Sequence, residues 1–478
     1  MFVGGWRGSR VGVSDVTDKA SGEILATVAL ATSLDVSEAC QVAVRSGAGW
    51  ASVSAEQRAA LLRRAIQLLE THKDEVIYWL VRESGSTKAK ANEELLGAKA
   101  HLAHSADVAT KPSRQILKDD AEMLSYCERV PLGVVGVIGP FNYPLILSLR
   151  FVAAALAMGN AVVLKPSLNT AVSGGILIAR LFEEAGLPKG VLQVIPGEAE
   201  VGSALVEDPN VTMIAFTGST SVGKKIGAKA GAALKRMTLE LGGKSPFVVL
   251  GDADLDLAAR AGAFSTFFHQ GQVCMAPGLH IVHQSIFNAY SERVAELAKA
   301  IRVGDPYREN VGLGPIINEK QRDRVHSIIE EAVAAGAQIL EGGTFRRLFY
   351  RPTVLINVPH HTRAFTEEIF GPVAVIVPFD DELDALRLAN GTGYGLAASV
   401  FGELEHAKRF GKQIQTGMLH INDRSTIANA KAPVGGTKAS GNVSRVGHDA
   451  NIEDFTTWLW VTETRRLIGY EINPNLDK

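Results

Sequence analysis

Cysteine is scarce: Cys40, Cys127 and Cys274 are the only three in 478 residues. An odd set with no C-x-x-C spacing and no histidine cluster beside it excludes a disulfide framework and a zinc-ligand pattern. No metal is expected, and a reducing cytoplasm suits the chain. Long apolar runs are missing too. The most apolar tract, 145–164, is interrupted by Arg150, Gly159 and Asn160, short of the about 18 unbroken residues that a spanning helix needs. Met1–Arg10 lacks the apolar stretch of a secretory signal. Neither sign of charge dominates: 49 basic against 51 acidic residues leave a net charge of −2, too little to recruit nucleic acid or an anionic membrane. Specificity must come from a local site.

What the chain does have is length. Its 478 residues are enough for two or three packed units. Its 47 glycines point to many tight turns and close backbone approaches. Residues 55–82 repeat apolar side chains three and four apart, which predicts one amphipathic helix laid on a sheet. From Val130 short β-rich runs alternate with helical ones: VVGVI, a helix through 153–158, AVVLK, a helix around 176–184, VLQVI, a helix around 199–206, TMIAF. After Gly243 the alternation resumes with PFVVL, a helix around 256–267, HIVH, a helix over 286–300, PVAVIVPF, a helix near 383–388, and MLHIN. Strands separated by helices indicate parallel βαβ units, so the expected fold is α/β with two doubly wound open sheets. Two outlying stretches, 114–129 and FTTWLWVTE, either pair as a small sheet that reaches another subunit or are unrelated surface strands.

Candidate chemistry begins at Cys274 in GQVCMAPG. A cysteine in apolar company is often only a buried hydrophobe, but glycine flanks let backbone and substrate approach the sulfur. A thiolate there can attack an aldehyde carbon; hydride loss from the adduct leaves a thioester for water to hydrolyse. That scheme needs a base and an oxyanion site. Glu240 in LELGGKSP is the candidate base, because burial would raise its pKa towards neutrality; the alternative is an ion-paired residue closing a strand. Asn142 in GPFNYPL is the candidate oxyanion donor, as is the backbone N–H of Cys274, although Asn before Tyr-Pro is also an ordinary turn. In FTGSTSVG, Gly218, Ser219 and Gly223 follow a strand and open a helix, where backbone N–H groups and the helix dipole suit an anion such as pyrophosphate. Lys165 in LKPS sits at a strand end, within reach of ribose hydroxyls or a 2′-phosphate, or simply solvated. In EEIFGPV, Glu368 offers an acceptor for the second ribose and Phe370 an apolar wall for a nicotinamide.

Taken in order, GPFNYP, LKPS, FTGSTSVG, LELGGKSP, GQVCMAPG, EEIFGPV and PVGGTKASG resemble the aldehyde dehydrogenase superfamily over nearly the whole chain, with Glu240 and Cys274 34 positions apart. The resemblance implies a modified Rossmann dinucleotide-binding domain over 1–111 and 132–242 and a catalytic domain over 243–450. It also implies a β oligomerisation sheet from 112–131 and 451–478, in a homodimer or homotetramer. It places Asn142 in an oxyanion hole, Lys165 on the adenosine ribose, Ser219 near the pyrophosphate and Glu368 on the nicotinamide ribose, with Ser167 and Leu241 as further dinucleotide contacts. Two departures stand out. Leu168 replaces the glutamate that often holds the ribose 2′-hydroxyl, which leaves NAD and NADP both open as cofactor. Val434 stands where PFGG is common, and an altered wall near the substrate mouth is expected from it.

Within the superfamily, KPSLNTAVSGG, FHQGQVCM, HINDRS and SGNVSRVG are similar to the benzaldehyde and vanillin dehydrogenase group. Tyr143, Phe267, Phe268, Val273, Met275 and Ile427 would then line an apolar tunnel for a flat ring, although such walls also suit an aliphatic chain and such residues are often simply core. The competing readings are an aliphatic or semialdehyde dehydrogenase, a CoA-acylating enzyme, a cofactor-free thiol esterase and a non-catalytic binding relative.

Overall fold

Two open sheets carry the chain, each built from strands that alternate with helices as the sequence predicts. The computed structural model describes residues 1–111, 113–427 and 429–465. In the first sheet Val134–Ile138 is central. Ala161–Lys165 and Leu192–Val194 extend from one side of it, Val211–Thr217 and Arg236–Glu240 from the other, and all five strands run parallel. The three strands 134–138, 161–165 and 192–194 are buried along almost their whole length, which is why the first two read as near-continuous apolar runs; the third carries a buried Gln193 that donates to the Gly190 carbonyl.

The second sheet has seven strands in the order Gln338–Glu341, Thr353–Ile356, Val373–Phe379, Pro277–His283, Ser245–Val249, Ala397–Phe401, Met418–Ile421. Only the first of these is antiparallel to its neighbour. The outlying stretches share a third, antiparallel sheet of Arg114–Asp119, Met123–Pro131 and Thr456–Thr464, in which Thr456 faces Pro131 and Thr464 faces Met123. Positions 466–478 of the expected oligomerisation segment lie outside the described residues.

One expectation fails locally. The run 55–82 is two helices, Ala55–Thr71 and Lys73–Ser84, separated at His72. The first packs on the helices Lys88–Ala109, Pro144–Ala157 and Leu177–Glu184 rather than on a sheet. No glycine or proline marks the break, so the apolar period runs through it; both halves pack on Lys88–Ala109 and Pro144–Ala157. Among the described residues no helix is long and apolar enough to cross a membrane, and no group of three or more His, Cys, Asp or Glu is placed to hold a metal ion.

Candidate active site

Four of the motifs leave the same edge of the first sheet. GPFNYP follows Ile138, the KPS stretch begins at Lys165, FTGSTS continues from Phe216 and the LELGG turn leaves Glu240; these four strands are consecutive neighbours, all parallel. The chain winds outwards in both directions from Val134–Ile138, so this edge is the topological switch point, where open α/β sheets bind ligands beyond their carboxyl ends.

The second sheet brings Cys274 to that edge. The cysteine lies between a short turn, Phe268–Gly271, and the strand Pro277–His283. His269, Gln270 and Gly271 are all left-handed, with φ of 50°, 56° and 67°. Glycine is required at 271, since a Cβ there would lie 2.1 Å from the Gly371 carbonyl oxygen. For the two non-glycine residues this backbone costs on the order of 1–2 kcal/mol each, and it persists only where neighbours over-determine it. Here they do. Gln270 Nε2 donates to the Gly85 and Pro315 carbonyls at 3.0 and 2.7 Å. Gln272 Oε1 accepts from the Ile317 N–H at 3.0 Å, and the Gln272 carbonyl accepts from Asn142 Nδ2 at 2.8 Å. That last bond ties GPFNYP to the cysteine loop and leaves the second N–H of the Asn142 amide without an acceptor among the described residues. From the other side, Gly243 meets the cysteine loop so closely that a Cβ on it would lie 2.7 Å from the Cys274 carbonyl oxygen.

Glu240 ends its strand almost fully buried. Burial pushes its carboxyl up to about 7, against the pull of Arg150 and Arg445. Among the described residues its Oε1 has no hydrogen-bond partner, while its Oε2 lies 3.9 Å from Arg150 Nη2. Arg150 is itself buried and donates to Thr217 Oγ1 at 3.1 Å. Its pKa is lowered, by burial first, so at this separation desolvation outweighs the attraction between the two. The Cys274 thiol is pushed up to about 12 by burial and then by the charges of Glu368 and Glu240, with Arg150 opposing. Cysteine, both glutamates and the arginine thus share one electrostatic neighbourhood.

The dinucleotide candidates lie along the same edge. Ser219 is the exposed N-cap of Thr220–Ala232 and makes no capping bond, so the free N–H groups of that helix's first turn face outwards, with no acidic residue among them. Gly218 precedes it. Gly223 lets the helix pack closely on the neighbouring turn: a Cβ there would lie 2.3 Å from Leu241 Cδ2, and Leu241 is buried. Lys165 and Ser167 are half-buried at the neighbouring strand end, where the lysine has, among the described residues, only a 3.3 Å bond to the Pro166 carbonyl and Ser167 caps the turn holding Leu168. Burial lowers the Lys165 pKa, with Glu198 and Glu200 opposing. Glu368 accepts from the Gly243 N–H at 3.1 Å. Phe370, left-handed at φ 57°, meets Phe141 edge-on at 5.8 Å between centroids. A row of open N–H groups, a lightly engaged ammonium and a carboxylate beside an aromatic wall fit a dinucleotide laid along the strand ends.

The tunnel candidates divide. Tyr143, Phe268, Met275 and Ile427 are half-buried around the cysteine loop, Tyr143 edge-on to His269 and Phe268 stacked on Phe264. Phe267 is a correction: at 1% exposed it points into the core beside Phe247, Tyr290 and Phe401, because it sits on the inner face of the helix Leu255–Phe267. Val273 lines a cleft with Gly243, Glu368 and Phe370. Val434 is buried in a bridge with Val446, next to Gly435, whose added Cβ would lie 3.0 Å from Glu240 Oε1. The residue expected to alter the substrate mouth thus adjoins the Gly435 backbone that packs against the Glu240 carboxylate.

Arg150 was legible only as an interruption of an apolar tract, although a charge inside a buried helix is itself a signal of a partner. Gln272, Gln321 and Arg324 carried no signal; the last two hold the Glu368–Phe370 loop by its carbonyls, at 2.9 to 3.2 Å.

Residues 6–461 match the aldehyde dehydrogenase family. The chain is 46% identical to a vanillin dehydrogenase of an Amycolatopsis species and 44% identical to a benzaldehyde dehydrogenase [NAD(+)] of Pseudomonas putida, with 98% of this chain and 97% of the relative covered in both cases. Among solved structures it is similar to betaine aldehyde dehydrogenase from Staphylococcus aureus in complex with NAD+, with a TM-score of 0.94 and 30% identity over 99% of this chain and 96% of the other. With the motifs, the sheet order and these matches in agreement, the chain belongs to the aldehyde dehydrogenase family.

Proposed function

We propose that this protein oxidises an aldehyde, of an aromatic, benzaldehyde-like class, to the carboxylic acid with NAD or NADP. The Cys274 thiol gives up its proton to solvent and Sγ bonds to the carbonyl carbon as the C=O π pair moves to oxygen, where the charge that develops is met by the free N–H of the Asn142 amide and the backbone N–H of Cys274. Lys165, Ser167, Ser219 and Glu368 hold the dinucleotide, with Gly218 and Leu241 beneath it and Phe370 as the apolar wall; when bound, it supplies the hydride acceptor. Glu240 then takes a proton from water, the hydroxide equivalent adds to the thioester carbon, and the carbon–sulfur bond breaks to release the acid and restore the thiol. One observation carries this reading: a buried carboxyl poised near neutrality, with one oxygen unpartnered, at the turn that presses on the Cys274 loop. The names of the vanillin and benzaldehyde relatives, together with Tyr143, Phe268, Met275 and Ile427, support the aromatic class.

The same reading assigns 1–111 and 132–242 to dinucleotide binding, 243–450 to catalysis, and 112–131 with 451–478 to oligomerisation of a cytoplasmic homodimer or homotetramer. Exposed Ile116, Leu117, Trp458, Leu459 and Trp460 on the third sheet support the last assignment.

Initial rates with benzaldehyde and hexanal, each with NAD and NADP, test the proposal. Benzaldehyde should show the higher kcat/KM, and the reverse order would remove the aromatic assignment. Cys274→Ala should bind dinucleotide without turnover; retained oxidation would remove the nucleophile.

A further inference from the structure

The helix Lys88–Ala109 buries an ion pair that no step above uses. Lys90 and Glu94, one helical turn apart, are 0% and 1% exposed. Lys90 Nζ donates to Glu94 Oε2 at 2.5 Å and to the Asn142 carbonyl oxygen at 2.7 Å, and lies 4.0 Å from the centre of the Tyr143 ring. Glu94 Oε1 accepts from the Leu145 and Ile146 N–H groups at 2.9 and 3.2 Å. Those are the open N–H groups at the start of Pro144–Ala157, a helix whose own N-cap residue, Tyr143, makes no capping bond. Replacing a buried ion pair by apolar residues is often neutral or stabilising, so stability alone gives no reason for this one. Its hydrogen bonds all converge on residues 142–146.

We propose that Lys90 and Glu94 are positioning residues, which fix the peptide plane of Asn142 from behind so that its side-chain amide stays aimed at the reacting carbonyl oxygen. This rests on the reading of Asn142 as the oxyanion donor. Lys90 holds the Asn142 carbonyl, Gln272 holds one N–H of its amide, and Glu94 anchors the helix that follows. With three points fixed, the second amide N–H has one direction. Without Lys90 the buried Asn142 carbonyl loses its ammonium donor and keeps only the neighbouring His269 ring, and the turn relaxes to satisfy it.

The test compares Lys90→Met with Lys90→Gln, which keeps a donor but no charge, both made with Glu94→Gln so that no lone carboxylate is left buried. Each is combined with Asn142→Ala and read by the pre-steady-state burst of reduced dinucleotide, with dinucleotide binding followed by fluorescence. The Met variant should lose roughly 10²-fold in burst rate, the scale of a misplaced reacting geometry, with dinucleotide affinity unchanged. Lys90→Gln should recover most of that loss. Asn142→Ala should cost roughly 10²- to 10³-fold in the native background but only a few-fold on top of Lys90→Met. Asn142→Ala at full activity would overturn the oxyanion reading itself. An impaired Asn142→Ala with losses that multiply, or a Met variant within twofold of native, would overturn the positioning role alone. If the Met variant does not fold, Lys90→Gln carries the test: near-native burst supports the proposal, and a loss as large as that of Asn142→Ala overturns it.

Discussion

Burial of Glu240 has a kinetic consequence that can be worked through. Its carboxyl sits at about 7 instead of the usual 4.5, which corresponds to about 3 kcal/mol of differential interaction between its two protonation states. The base is the ionised form, so hydrolysis of the thioester should be lost as pH falls through about 7. The rate should drop about tenfold for each further unit, whereas a carboxylate at its ordinary value would keep it nearly flat down to about pH 5.5. The assay is single-turnover: the acyl-enzyme is formed with excess benzaldehyde and dinucleotide, quenched in acid, and the Cys274 adduct is followed by intact mass from pH 5 to 8.5. Glu240→Gln should slow its decay by about 10²- to 10⁴-fold and erase the acid limb. Arg150→Met removes the nearest cation and should move the limb to higher pH. A native profile flat from pH 5.5 to 8, or a Glu240→Gln profile with the same limb, would refute the assignment.

Three further outcomes are expected. With the thiol held near 12 by burial, iodoacetamide alkylation of Cys274 in dinucleotide-free protein should climb about tenfold per pH unit from 7 to 10; a plateau below pH 9 would contradict that environment. Leu168→Glu should shift the ratio of kcat/KM from NADP towards NAD by on the order of tenfold through repulsion of a 2′-phosphate, and an unchanged ratio would mean that the residue does not meet the ribose. Trp460, 68% exposed on the third sheet, should be part of a subunit contact, so Trp460→Glu should yield a smaller species in sedimentation velocity with native circular dichroism; unchanged mass would show that this face is not the contact.

The alternation of strands and helices specified both sheets because parallel strands buried on two faces must be apolar throughout, and that property is local. Likewise the spacing of glycines around Glu240 and Cys274 was readable, since Gly243 and Gly271 answer backbone approaches under 3 Å that admit no side chain. The break at His72 was not, because no residue there opposes a helix. Nor was the fate of Phe267 and Phe268: adjacent aromatics are alike in sequence, and only the helix face decides that one enters the core while the other stays half-exposed.

By itself, then, the order of residues determined the α/β architecture and the family, and singled out Cys274 and Glu240 as candidates. Tertiary structure alone decided that Arg150 faces Glu240, that Lys90 holds the Asn142 carbonyl, and that Gly435, beside Val434, packs against the Glu240 carboxylate. The reason is physical: a backbone pattern is fixed by near neighbours in sequence, whereas the meaning of a buried charge depends on what a distant segment places within 4 Å of it.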